Sequence, residues 1–145
     1  MLCDMVERST FDVGDDALCV KSGIDFLGRE YGRETSGVVF RDIDVRAGHG
    51  ITIGSEMSGG VSNVTFENIR LNGTALGIRM KSQRGRGGLV SGIVYQGFAF
   101  KAVGQRLDVH AEVFAVIAAA PPDRGLVGAL PFGLAGLGDA INHGA

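Results

Sequence analysis

The sequence predicts an all-β protein, a right-handed parallel β-helix followed by a tail of different character. Three observations support this fold class. Glycine supplies 24 of the 145 residues, and 17 of these glycines lie in the first hundred residues, between short runs rich in Val, Ile and Thr. Two series of similar segments recur along the same region, and the composition changes after residue 100. Short strands joined by tight turns and stacked as repeats would have this pattern.

The first series contains three ten-residue segments: "SGVVFRDIDV" (36–45), "SNVTFENIRL" (62–71) and "SGIVYQGFAF" (91–100). Each begins with a small polar pair, continues through an apolar-x-aromatic step and ends with an apolar-x-apolar step. The segments are offset by 26 and then 29 residues. This recurrence predicts one stack of strands in which equivalent residues lie above one another.

The second series contains "ALCVKS" (17–22), "GITIGS" (50–55) and "GIRMKS" (77–82), at offsets of 33 and 27 residues. Two series that keep a fixed phase favour a solenoid over an antiparallel sandwich, which predicts no such phase. Strand alternation divides each segment between two faces. We expect one interior column to contain Leu18, Ile51 and Ile78.

The strands occupy the first of two predicted regions, a partial β-helix domain over 1–100 and an Ala/Gly/Leu-rich tail over 101–145. We interpret residues 23–36, which cause the longer offset, as a loop that walls a groove. The tail contains ten alanines, against four in the first hundred residues. In it, "AEVFAVIAAAPP" could form a short helix that ends at two prolines. The rest either caps the solenoid or is a non-homologous, poorly packed segment, and we favour the second interpretation.

Composition excludes several classes of protein. The net charge of −2 excludes a generally basic nucleic-acid binder, and the single "QRGRGG" at 83–88 does not change that expectation. No apolar run approaches the roughly 20 residues that span a membrane, and the N-terminus has no signal-peptide pattern. Cys3 and Cys19 fit no metal motif, and we expect two buried thiols more than one disulfide bond.

Five polar residues are predicted to converge on one groove. In the phase of the second series, Asp15 and Asp16 precede the first segment, His49 precedes the second, and Arg79 and Lys81 lie in the third. Stacked strands are about 4.8 Å apart, so these groups would meet although they are distant in sequence. We expect the two crowded carboxylates to titrate as a coupled pair, one of them keeping its proton to higher pH. An acid and a base together suit the cleavage of a glycosidic bond.

The motifs "GDDALCVKSG", "GHGITIGSEMSGGVSNVTFENI" and "GIRMKSQRGRGG" resemble three successive motifs of the polygalacturonases, glycoside hydrolase family 28. The resemblance covers about residues 4–100. It implies a right-handed parallel β-helix that hydrolyses the α-1,4-galacturonosyl bonds of pectin with inversion and needs no metal or other cofactor. It further implies an anionic polysaccharide substrate, no nucleic-acid or membrane partner, a monomer, and an extracellular or cell-wall location.

The same resemblance implies a role for each residue of the groove. Asp15 would be the general acid, and Asp16 would help to position the attacking water. His49 would support the protonation state and geometry of the acid. Arg79 and Lys81 would bind the substrate carboxylate, for which the planar guanidinium of arginine is well suited.

The chain departs from the family pattern at its N-terminal end. An Asn-Thr-Asp motif, which supplies a further water-positioning carboxylate, would fall before Met1. We therefore expect the chain to begin inside the conserved region, to lack N-terminal turns and to hydrolyse polygalacturonate poorly or not at all. Two alternatives remain, a catalytically silent pectin-binding remnant and a calcium-dependent pectate lyase. The paired aspartates, with His-Gly and Arg-x-Lys downstream, favour hydrolysis over the lyase.

Overall fold

The structure is a computed structural model that describes residues 4–109. Within this range the chain forms ten strands and one short helix. The helix, α1, spans Asp25–Tyr31. The strands are β1 (Asp4–Phe11), β2 (Leu18–Val20), β3 (Thr35–Ser36), β4 (Val38–Val45), β5 (Ile51–Ile53), β6 (Val61–Asn72), β7 (Leu76–Met80), β8 (Val90–Gln96), β9 (Ala99–Lys101) and β10 (Gln105–Val109).

The strands form two sheets in which every described pair is parallel. One sheet has the order β1-β4-β6, with β3, β8 and β9 also paired to β6. The other sheet has the order β10-β7-β5-β2. The chain alternates between the sheets as it winds, so the molecule is a parallel β-helix and the predicted fold class is confirmed. No helix among the described residues is long and apolar enough to cross a membrane.

The register of the strands confirms the predicted interior column. Leu18 pairs with Ile51, and Ile51 pairs with Ile78. The first series is also in register, because Ser36 pairs with Ser62 and Ser62 pairs with Ser91. The sequence offsets therefore correspond to the stacking of one turn on the next.

Stacked aromatic rings fill part of the core between the sheets. The ring centroids of Phe40 and Phe66 are 5.0 Å apart, and those of Phe66 and Tyr95 are 5.1 Å apart, with the planes of each pair inclined by 6°. These residues occupy the same position in the three segments of the first series. The parallel register places like aromatic residues face to face, and Phe66 is completely buried.

The segment 23–36, interpreted from its sequence as a loop, contains helix α1 and strand β3, and its role as the wall of a groove stays a prediction. The helix packs through Gly28, where an added Cβ would lie 2.7 Å from the carbonyl carbon of Gly23. Its large apolar residues, Phe26, Leu27 and Tyr31, point outward. Because no apolar stripe faces the core, the segment has none of the periodicity that identifies a helix in sequence.

The stack continues beyond residue 100, where the repeat was expected to stop. Strand β10 pairs with β7, and Leu107 is in register with Ile78. The expectations for the tail, including the helix in "AEVFAVIAAAPP", otherwise lie outside the described residues, and the predicted division into two regions stays a prediction. Cys19 is free and exposed, so the expectation of a buried thiol is wrong for this residue; Cys3 lies outside the described residues.

A phenylalanine pair tests how much the stacked core contributes to stability. Phe66→Ala should lower the free energy of unfolding by about 3–5 kcal/mol, because it leaves a cavity between two stacked rings. Phe26→Ala makes the same change on the exposed face of α1, where the side chain is 65% exposed, and should change stability by about 0.5 kcal/mol or less. Urea unfolding followed by circular dichroism measures both variants. Equal losses would contradict the assignment of the core to these rings.

Candidate active site

Two turns at equivalent places in successive coils of the solenoid carry the predicted acidic residues and the histidine. Asp15 and Asp16 lie between β1 and β2, and Gly48 and His49 lie between β4 and β5. The backbone N–H of His49 donates to the carbonyl of Asp15 at 2.9 Å. A Cβ at Gly48 would lie 2.3 Å from the same carbonyl oxygen, and its φ is +97°. Only glycine fits this position, and it allows the two turns to touch.

Asp15 faces solvent beside His49. The Nδ1 of His49 lies 3.0 Å from Oδ1 of Asp15, and the Asp15 side chain is 84% exposed. The backbone N–H of Asp16 also donates to Oδ1 of Asp15, at 2.8 Å. That backbone hydrogen bond and the one with His49 hold the pKa of Asp15 below its ordinary value. The carboxylate is therefore oriented by two neighbours and still open to a ligand.

Asp16 is held by two cations from β7 and the residue after it. Its side chain is only 10% exposed, and its carboxylate accepts from Nζ of Lys81 at 2.6 Å and from Nη1 of Arg79 at 3.3 Å. Burial raises the pKa of Asp16, but the Lys81 hydrogen bond and the charges of both cations outweigh burial, so the net pKa is lowered. Asp16 is therefore an ionised carboxylate with a fixed orientation.

The structure brings the five predicted residues together as two connected groups, Asp15 with His49 and Asp16 with Arg79 and Lys81. Their chemical roles stay predictions. The expectation that one aspartate keeps its proton to unusually high pH is wrong for this structure, because the pKa of each is lowered. The reason is that hydrogen-bond donors and cations surround the pair, and their effect exceeds the mutual repulsion of the carboxylates.

A further ion pair, which the sequence did not indicate, lies on the same outer face. Lys21 directly follows β2, and its ammonium contacts the carboxylate of Glu56. This hydrogen bond raises the pKa of Lys21 and lowers that of Glu56. Lys21 occupies the same place in the first motif as Lys81 in the third. This equivalence could have indicated that Lys21 lies on the same outer face. Glu56 lies outside the strands, so alternation could not identify it.

The thiol of Cys19 also lies on this face. Its Sγ is 3.2 Å from the carbonyl oxygen of Gly54 and 3.9 Å from Oδ2 of Asp16. The residue is exposed, but neighbouring atoms partly desolvate the sulfur and raise the pKa of the thiol, so it is protonated near neutral pH and acts as a weak donor rather than as a thiolate nucleophile.

The cluster also offers metal-ligating atoms, and its surroundings disfavour a metal ion. One ligand atom from each of Asp15, Asp16 and His49 lies within 4.8 Å of the others. However, both oxygens of Asp16 already accept hydrogen bonds from Arg79 and Lys81. A bound cation would have to compete with two fixed positive charges. The arrangement suits a negatively charged ligand better than a metal.

Comparison with known proteins supports one family. The family described as "Glycosyl hydrolases family 28" matches residues 5–113. The chain is 41% identical over 90 residues to a probable polygalacturonase from Vitis vinifera, covering 61% of the chain and 18% of that protein. It is 36% identical over 98 residues to an endo-polygalacturonase from Pectobacterium parmentieri, covering 68% of the chain and 23% of that protein. The chain thus spans about a fifth of the length of the curated relatives it matches.

A solved structure agrees with these matches. The crystal structure of a hyperthermoactive exopolygalacturonase from Thermotoga maritima superimposes on the chain with a TM-score of 0.59 and 33% sequence identity. The match covers 72% of this chain and 25% of that one. The described part of this chain is therefore similar in fold and sequence to a solved exopolygalacturonase.

The hydrogen bond between His49 and Asp15 makes a prediction about proton binding. In His49→Ala the carboxylate loses one of the two interactions that stabilise its charge, so the pKa of Asp15 should rise toward its ordinary value. Carboxyl-carbon NMR titration measures this change. The pKa of Asp44, which Arg70 lowers at a distant position, is the internal control and should not move. An unchanged pKa of Asp15 would contradict the role of His49.

The lowered pKa of Asp16 predicts how stability depends on pH. Because the folded pKa lies below the unfolded value of about 3.9, the ionised carboxylate stabilises the fold above that pH, and this contribution is lost as the pH falls through the folded pKa. Asp16→Asn should therefore reduce the decline in unfolding free energy in acid. Asp42→Asn removes the same charge on the other sheet and controls for the change in net charge. Urea unfolding between pH 3 and pH 7 compares them, and identical curves for all three proteins would refute the prediction.

Proposed function

The chain belongs to glycosyl hydrolases family 28, and we propose that its site hydrolyses glycosidic bonds of polygalacturonate, the acidic polysaccharide of pectin. The observation that carries the proposal is the pairing of two differently held aspartates. Asp15 is exposed beside His49, whereas Asp16 is largely buried against Lys81 and Arg79. Two carboxylates in different surroundings can take different parts in one acid/base reaction.

We assign the general acid to Asp15. It is the aspartate that a leaving oxygen can reach, because its side chain is 84% exposed. A general acid must be protonated when the bond breaks, and the pKa of Asp15 is lowered in the free site. A bound sugar would displace water from the carboxylate and add its own negative charge nearby, and both effects raise a carboxyl pKa. We expect activity in mildly acidic solution. The activity should fall as the pH rises, because Asp15 then loses its proton.

Asp16 would orient the attacking water. Its ionised carboxylate has a fixed direction because Lys81 and Arg79 hold it. Inverting glycosidases usually separate acid and base by roughly 6.5–9.5 Å, whereas oxygens of Asp15 and Asp16 lie within 4.8 Å of each other. The two aspartates alone do not span the usual distance. We therefore propose that Asp16 holds the water jointly with a further group rather than acting as the sole base.

The two cations define the class of substrate. Arg79 and Lys81 both contact the carboxylate of Asp16, which places two cationic groups beside the acid, where a sugar carboxylate could bind. Arginine can grip such a carboxylate through two hydrogen bonds. These features support a polyuronate, and polygalacturonases are among the relatives. Because such a polymer belongs to plant cell walls, we place the site of action outside the cell.

The alternatives to a hydrolase gain no support. The relatives and the superimposed structure carry the names of polygalacturonases, not of lyases. A calcium-dependent lyase would also need a cation site, and the carboxylate of Asp16 is already engaged by Arg79 and Lys81. A catalytically silent module would still bind the polymer through Arg79 and Lys81 but would not hydrolyse it. Catalysis and binding must therefore be measured separately.

Release of reducing ends from polygalacturonate tests the proposal. We expect slow hydrolysis by the wild-type chain at high protein concentration, lowered in Asp15→Asn by about 10²–10⁴-fold, the usual contribution of a positioned acid. Asp42→Asn is the matched control, because it removes the same charge from the outer face of the other sheet, and should leave the rate unchanged. The pH profile of the wild type should fall on the alkaline side.

Binding of oligogalacturonate, measured by calorimetry, separates an enzyme from a silent module. The double variant Arg79→Gln/Lys81→Gln should weaken binding, whereas Asp15→Asn should retain it. Binding that depends on Arg79 and Lys81, together with no release of reducing ends that depends on Asp15, would refute hydrolysis by this chain and favour the binding module.

A further inference from the structure

A cavity of about 370 Å³ lies at the end of the first sheet, away from the acid/base site. Its walls are two outward columns of side chains, and its floor is formed by residues 45 and 71, whose own side chains point into the core. One column contains Asp44, Arg70 and Ala99 in register. In the other, Asn72 is in register with Lys101, and Arg46 directly follows Val45, which pairs with Leu71. The small side chain of Ala99 leaves room on one wall.

The charges around this cavity are unbalanced. Nε and Nη2 of Arg70 donate to the two oxygens of Asp44 at 2.5 and 3.1 Å. Arg46 and Lys101 are exposed and form no ion pair within the part of the chain that the structure describes; Arg46 acts on Asp44 only through its charge. Three cations and one carboxylate leave a net charge of +2 on the cavity.

Elsewhere on the same sheet, an outward ion pair joins two neighbouring strands. Glu7 accepts from Nε and Nη2 of Arg41 at 2.8 and 2.6 Å, on the neighbouring strand. Opposite charges in adjacent positions of a sheet stabilise it, and like charges destabilise it. Arg46 and Lys101 therefore do not stabilise the sheet through cross-strand ion pairs. Because they lie at a cavity, we infer that they pair with negative charges of a ligand.

The spacing of the cations indicates the shape of that ligand. Arg46 and Lys101 lie in one column with Asn72 between them, two strand spacings or roughly 10 Å apart. A ligand with carboxylates at two places can contact both cations at this spacing, and the amide of Asn72 between them can donate to or accept from a sugar hydroxyl.

We propose that this cavity, lined by Arg46, Arg70, Asn72 and Lys101, is a second binding site for a polyuronate, separate from the acid/base site. The proposal rests on the proposed function for the class of ligand. Arg46 is three residues before His49 in the sequence, so a short segment of chain connects the second site to the turn that carries His49. One polymer held at both sites would stay at high effective concentration near the acid.

Calorimetric titration with an oligogalacturonate long enough to reach both sites tests the proposal. Arg46→Gln/Lys101→Gln should weaken binding roughly tenfold, because two charge-assisted contacts are lost. Arg8→Gln/Arg41→Gln lowers the net charge equally on the same sheet and should bind like the wild type. Arg46→Lys/Lys101→Arg keeps both charges and should retain most of the affinity. Circular dichroism confirms that each variant is folded.

The outcomes separate this proposal from the proposed function. Equal binding by Arg46→Gln/Lys101→Gln and the Arg8→Gln/Arg41→Gln control would overturn the second site, as would wild-type protein that does not bind the oligomer. Inorganic phosphate that abolishes the part of the affinity due to Arg46 and Lys101 would also overturn the second site. The two residues would then form a site for a small anion. Weaker binding in Arg46→Gln/Lys101→Gln but not in Arg79→Gln/Lys81→Gln would support the second site and refute substrate binding beside Asp16.

Discussion

The parallel register of the strands is the constraint on which the rest of this molecule depends. Each coil of the solenoid lies about one strand spacing from the next, so a residue must suit the equivalent residues above and below it. Gly50 illustrates how strict this is, because an added Cβ would lie 2.1 Å from the carbonyl oxygen of Gly77 on the next coil. The same spacing brings Asp15 against His49, and Asp16 against Lys81, across more than thirty and sixty residues of sequence.

This constraint explains why much of the fold and site could be predicted from the sequence. A residue such as Phe66 must match Phe40 before it and Tyr95 after it, so the repeat is visible in the letters themselves. Once the segments are aligned, the sequence offsets give the neighbours of every residue in a strand on the adjacent coils. Counting along these offsets brings Asp15, His49 and Lys81 together.

The features that the sequence did not predict are those that the register does not determine. Helix α1 lies outside the stack and packs through Gly28, so it has no counterpart in the next coil and no apolar stripe. The partnership of Lys21 with Glu56 depends on the path of a turn. The pKa values of Asp15 and Asp16 depend on which donors point at each oxygen. Sequence indicates which groups are near, but the direction of hydrogen bonds requires coordinates.

The two cationic regions differ in how their charges are held, and this difference bears on what each can do. Lys81 and Arg79 share a buried carboxylate, which fixes their direction and that of Asp16, as catalysis requires of groups that must meet a reacting bond. Arg46 and Lys101 are exposed and form no ion pair among the residues described, so their long side chains can follow a ligand. Such flexibility makes the geometry of the bound ligand less defined. The affinity still depends on the charges and is reduced by salt. A site of this second kind suits holding a flexible polymer, whereas the first suits cutting it.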